Sequence, residues 1–225
     1  MSGNFECIGE VVPTYEICNQ IDDNCNGSID EGLPITEDNL VGDFLYCFDR
    51  SGSMGIEIDA VKTATESFSQ QFRDDPRYKF GIEDATAASP GITLTQNLTD
   101  FNTFQAKLND IRANGSGLES IPEAIWKACD TTNPLMINWT PGVRRSLFVF
   151  TDEPAQVNQN IWLTEADIIN ACIDTETRVF IWSNNPGDYE SLATFTGGLH
   201  FDLINDAEIL EDDLNNILIL SCQSP

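Results

Sequence analysis

The chain has 225 residues and carries 11 Lys and Arg against 37 Asp and Glu, a formal charge of −26 with a single histidine, His200. That balance argues against a nucleic-acid binder, which needs a basic surface for phosphate, and against docking on anionic lipid. One histidine excludes His-rich zinc centres, and 41% hydrophobic residues are enough for a folded core rather than a disordered chain. So acidic a chain points to hard cations, a saline medium or a basic partner.

Residues 1–34 read as a small module rich in Cys, Asn, Asp and Gly, followed by a linker over 35–41 and a larger domain over 42–225. The N-terminus lacks the basic and apolar regions of a secretory signal, and no apolar run is long enough to span a bilayer. Seven cysteines, three of them in the first 25 residues, nevertheless predict at least one disulfide and an oxidising compartment. The odd count leaves at least one thiol over. Cys47, inside an apolar run, is the expected buried thiol.

From residue 42 the pattern alternates. Phe44 to Phe48 is a continuous apolar run, as in a strand buried on both faces. A helix follows over 56–73, with Val61, Ala64, Phe68 and Phe72 on one side. Arg77 to Glu83 and Ile92 to Leu98 read as strands paired in a hairpin, and 101–113 and 121–130 as helices, the second with Pro122 in its first turn. Leu147 to Phe150 and Val179 to Trp182 are further buried strands, separated by a helix over 160–172. A short strand at Leu199 to Leu203 and an amphipathic helix over 206–220 close the chain. Strands alternating with helices predict an α/β fold, doubly wound with a mostly parallel sheet.

In such a sheet, ligands bind beyond the carboxyl ends of the strands. Asp49-Arg50-Ser51-Gly52-Ser53 leaves the first buried strand there, and Thr151-Asp152-Glu153 leaves a later one. Alternation in the first loop would aim Asp49, Ser51 and Ser53 at one point. A carboxylate with two hydroxyls suits a hard cation such as Mg²⁺. Arg50, inside the loop, is read as balancing local acid.

Asp49-x-Ser51-x-Ser53 resembles the metal-ion-dependent adhesion site of von Willebrand factor type A domains. Two separated segments extend the likeness: Phe148-Val149-Phe150-Thr151-Asp152, similar to the later strand whose terminal Asp faces the metal, and Gly117-Leu118-Glu119-Ser120-Ile121-Pro122-Glu123-Ala124, similar to the Gly-rich loop. The resemblance implies a Mg²⁺-type site (Mn²⁺ or Ca²⁺ being alternatives) held by Asp49, Ser51, Ser53 and Asp152, with Ser120 or Glu123 in the middle position where many relatives carry Thr. It further implies that the open coordination position takes a carboxylate from a protein partner.

In the N-terminal module, Asp22, Asn24, Asn26, Ser28, Asp30 and Glu31 offer oxygen donors around a Ca²⁺, with Gly27 for a sharp bend. The segment begins like an EF-hand loop but places Leu33 at the twelfth position. It is more similar to the Cys- and Asp-rich motif of bacterial surface proteins of the MopE type. A Cys18–Cys25 disulfide would brace it, with Cys7 as a competitor for Cys18. The sequence therefore predicts a non-enzymatic, metal-dependent protein-binding module of an extracellular or virion surface. The alternative is a structural subunit of an extracellular assembly, touching neighbouring subunits, with purely stabilising metals.

Overall fold

The computed structural model describes residues 42–85, 92–114, 119–156 and 163–221. The calcium-type loop from Asp22 to Glu31, the Cys18–Cys25 pair and the linker lie outside the described residues. Six strands form one sheet in the order β3-β2-β1-β4-β5-β6. They are β1 (Gly42–Phe48), β2 (Lys79–Asp84), β3 (Thr93–Thr99), β4 (Arg144–Phe150), β5 (Thr177–Trp182) and β6 (His200–Phe201). Only β3 is antiparallel, hydrogen-bonded to β2 as the expected hairpin; the other neighbours are parallel. The helices are α1 (Glu57–Gln70), α2 (Phe101–Leu108), α3 (Ile121–Cys129), α4 (Glu165–Asp174), α5 (Pro186–Phe195) and α6 (Ala207–Ser221).

The continuous apolar runs sort into two chemically different faces, because successive side chains of a strand point to opposite sides. Phe44, Tyr46 and Phe48 of β1 share one face with Phe148 and Phe150 of β4, and with Phe180 and Trp182 of β5. Register sets these rings side by side across the sheet. Phe48, Phe150, Trp182 and Phe201 stack in a row with centroids 5.7, 4.7 and 4.9 Å apart. Rings from α1 and α2 close over this layer: Phe68 packs on Phe44, and Phe104 on Tyr46 and Phe80. The other face is aliphatic. There Leu45, Cys47, Leu147, Val149, Val179 and Ile181 pack with Ile121, Ala124 and Ile125 of α3, Ile168 of α4 and Leu192 of α5.

Three local departures from the expected elements have identifiable causes. α2 ends at Leu108 rather than 113, since Asp110 and Ile111 already bond three residues back, to Lys107 and Leu108, in a tightened last turn. Ile111 stays buried, which is why its spacing looked helical. α4 begins at Glu165, because Thr164 and Asp167 exchange side-chain-to-backbone hydrogen bonds in a capping box. α5 was not expected: Pro186-Gly187-Asp188 resembles a turn, yet Pro occupies its first turn and Tyr189, Leu192 and Ala193 supply its short buried stripe.

One disulfide joins Cys129, at the end of α3, to Cys172 of α4. Both sulfurs lie in the aliphatic layer, remote in sequence by 43 residues. Among the described residues Cys47 is free and buried, as its apolar run predicted. Burial raises its thiol, and the nearby carboxyls of Glu83, Asp84 and Asp49 raise it further.

Candidate metal centre

β1 is flanked by β2 on one side and β4 on the other, so the chain leaves β1 in one direction and returns to its opposite side. This reversal opens a crevice at the carboxyl ends of β1 and β4. It explains why Asp49, just after β1, meets Asp152, two residues after β4, although 103 positions separate them (152 − 49). The amide of Asp49 donates to the Phe150 carbonyl at 3.0 Å, which fixes the two strand ends together.

Asp49 is fully buried. Its Oδ1 accepts the Ser51 amide at 2.8 Å, and its Oδ2 accepts the Thr151 hydroxyl, also at 2.8 Å. Burial pushes the carboxyl above its ordinary range. Those hydrogen bonds hold it down in part, and the charge of Asp152 pushes it up again. The Ser51 and Ser53 hydroxyls lie 2.7 Å apart, and Ser53 donates to Asp152 Oδ1 at 3.2 Å. Hydrogen bonds thus link the side chains of Asp49, Ser51, Ser53 and Asp152.

Ser120 and Glu123, of the Gly-rich segment, have partners of their own. Glu123 is buried but faces its own helix, where Oε1 pairs with Lys127 Nζ at 2.9 Å. Ser120 donates its hydroxyl to the Gln156 carbonyl at 3.3 Å. Glu119 is the residue held in the field of the cluster. It is only 6% exposed, and its Oε1 is buried without a hydrogen-bond partner. Desolvation raises its carboxyl first, followed by the charges of Asp49, Glu153 and Asp152. Sequence reasoning passed over Glu119. The usable signal was its position at the loop's exit, two residues before the helix begins at Ile121. Thr151 was also missed as a support for Asp49; its place between an apolar strand and Asp152 was the available hint.

Arg50 points away from the oxygen set. Its guanidinium donates to Asp84 Oδ2 at 2.8 Å, to Asn114 Oδ1 at 2.8 Å and to the Arg112 carbonyl at 3.1 Å. It therefore balances Asp84 and ties the loop after β1 to the loop after α2. Among the described residues, no group of three or more His, Cys, Asp or Glu is clustered closely enough to hold a metal through those residue types alone. A cation here would need the two serine hydroxyls together with the carboxylates. The donors fit a hard ion on that condition: the two carboxylates and two hydroxyls are all oxygens, the donor type such an ion takes.

No protein-family model matches the chain, and no curated protein matches it. Solved structures do match. Proximal thread matrix protein 1 from the mussel byssus superposes with a TM-score of 0.64 at 14% identity, covering 81% of this chain and 48% of the other. A von Willebrand factor type A structure from Catenulispora acidiphila gives 0.60 at 16%, covering 81% and 43%. The mussel protein with a zinc-occupied adhesion-site motif gives 0.60 at 13%, covering 81% and 48%. The chain thus spans somewhat under half the length of the structures it matches. Its fold is the α/β fold of von Willebrand factor type A domains.

Proposed function

We propose that the chain is a non-enzymatic binding module that engages a protein partner through a divalent cation. Asp49, Ser51, Ser53 and Asp152 would hold the ion, Mg²⁺, Mn²⁺ or Ca²⁺, with Ser120 or Glu123 in the middle position. The bound ion supplies an electrophilic contact for an acidic side chain of the partner. Thr151 fixes the orientation of Asp49, and the Ser51 amide holds its other oxygen. The observation that carries this reading is the convergence of the β1 and β4 ends on the linked side chains of Asp49, Ser51, Ser53 and Asp152.

Chemical support for a non-enzymatic role comes from the strongest nucleophile–base candidate. Ser183 and His200 lie 2.9 Å apart, but Ser183 is fully buried, out of reach of a substrate. A structural reading has its own support in the mussel neighbour, a thread matrix protein of the byssus. The Cys129–Cys172 bond agrees with an oxidising setting for either reading. A Ca²⁺ in the Asp22–Glu31 loop would brace the N-terminal module in both.

Calorimetric titration of Mg²⁺, Mn²⁺ and Ca²⁺ into the full chain tests the proposal. Two classes of site are expected, one abolished by Asp49→Ala and the other by Asp22→Ala. A wild-type titration that Asp49→Ala leaves unchanged overturns the first. Partner capture lost in Asp49→Ala with assembly intact favours adhesion; loss of assembly favours the structural role.

A further inference from the structure

A half-open cavity of about 230 Å³ lies between the first turn of α3, the start of α4 and α5. Pro122, Leu163, Ile168 and Leu192 give it apolar walls, and the carboxylates of Glu165 and Asp188 also line it. Both acids are oriented by hydrogen bonds through one oxygen. Glu165 Oε1 accepts the Ser191 hydroxyl, and Asp188 Oδ2 accepts the Ala155 amide at 3.0 Å. Neither makes an ion pair among the described residues. The sequence offers none nearby: residues 146–177 and 179–225 contain no Lys or Arg.

The cavity is tied to the metal centre through the segment after β4. Asn185 Nδ2 donates to the Asp152 carbonyl at 3.2 Å, and Tyr189 Oη donates to the Glu153 carbonyl at 3.1 Å. With the Asp188–Ala155 bond, these fasten the N-terminal turn of α5 to residues 152–155. Ala155, in the cavity wall, is three residues beyond Asp152, a chain reach of at most about 11 Å.

We propose that this cavity receives a basic side chain, lysine or arginine, of the partner that reaches the metal centre; the proposal rests on the binding reading above. Apolar walls fit the methylene stem of such a side chain, and oriented carboxylates at the wall fit its charged head. Charge complementarity points the same way. The −26 chain repels a purely acidic partner. A cationic group docked alongside offsets that repulsion.

The test is amide NMR of the full chain, titrated with N-acetyl-lysine-methylamide. The norleucine analogue is the neutral control and the glutamate analogue the anionic one. Saturating shifts confined to Ala155, Leu163, Gly187 and Leu192 are expected with the lysine compound alone. In the Glu165→Gln/Asp188→Asn variant, which keeps an oxygen for the Ser191 and Ala155 donors, binding should weaken roughly tenfold. Shifts scattered over the acidic surface without saturation, an equal response to norleucine, or an unchanged response in the variant would overturn the proposal. Running the titration in Asp49→Ala without divalent ion separates the outcomes. Cavity binding should persist there even where the metal reading fails.

Discussion

Glu119 and Asp49 are acids forced into a dry, like-charged corner, and the consequence is a definite pH dependence. Both carboxyls lie above their ordinary values of 4.5 and 3.8, burial being the largest cause. Protonation is therefore easier in the folded state than in the unfolded chain. Their favourable contribution is complete below the unfolded values and is lost as pH rises through the raised folded ones. The metal-free protein should lose thermal stability as pH rises above those ordinary values. Mg²⁺ or Ca²⁺ should restore it at neutral pH, where the ion replaces the proton. Glu119→Gln should flatten the metal-free profile and weaken the rescue, as read by melting temperature against pH with and without the ion. Thr151→Val tests the support of Asp49: losing one oriented hydrogen bond behind a ligand should weaken cation binding about 10- to 100-fold while the fold persists. Glu83 stands apart from this group. It is fully buried on β2 beside the Cys47 thiol, and burial drives its carboxyl well above the ordinary range, against the lowering effects of the Lys127 charge and that thiol. Replacing it by Leu, of similar volume, should stabilise the domain at alkaline pH by about 1–3 kcal/mol in a denaturant titration.

At the scale of elements, the Cys129–Cys172 bond fastens two helices on the aliphatic face, where they are joined by no regular hydrogen bonding. Closing a loop of that length constrains the unfolded chain by about 4 kcal/mol on the chain-entropy account, or roughly 10 °C in melting temperature for a domain of this size. Reduction should lower the melting temperature by that order. The Cys129→Ala/Cys172→Ala variant should melt low with or without reductant. The pairing was not legible beforehand, since Cys129 and Cys172 sit on helices whose mutual placement depends on the sheet between β4 and β5. α5 was missed for a related reason. Its stripe of Tyr189, Leu192 and Ala193 is too short to outweigh the turn-like Pro186-Gly187, and burial against the sheet decides the conformation.

For the whole molecule, charge is the dominant variable. Two divalent ions would remove only four units from −26, leaving about −22 by that subtraction. Metal binding thus accounts for the position of some acids and not for their number. Raising ionic strength should stabilise the chain by screening this self-repulsion, and should weaken association with any basic partner. The N-terminal loop adds a separate expectation. A chelator should increase proteolytic cleavage within residues 1–33, because so short a segment, with no long apolar run, has little core of its own apart from its ion. Unchanged cleavage would count against a calcium loop there.

By itself the sequence determined the alternation of buried strands and helices, the β2–β3 hairpin, the buried thiol at Cys47 and the oxygen-only character of the Asp49-x-Ser51-x-Ser53 loop. These are local: each follows from periodicity of two or of 3.6 residues, or from side-chain chemistry within a few positions. Tertiary structure decided which face of the sheet is aromatic and which aliphatic, that Cys129 meets Cys172, and that Glu123 turns to Lys127 while Glu119 enters the field of Asp49 and Asp152. Those outcomes depend on strand order and on the angle at which α3 meets the sheet. Contacts between residues separated by tens of positions become fixed only when the parallel strands are laid side by side.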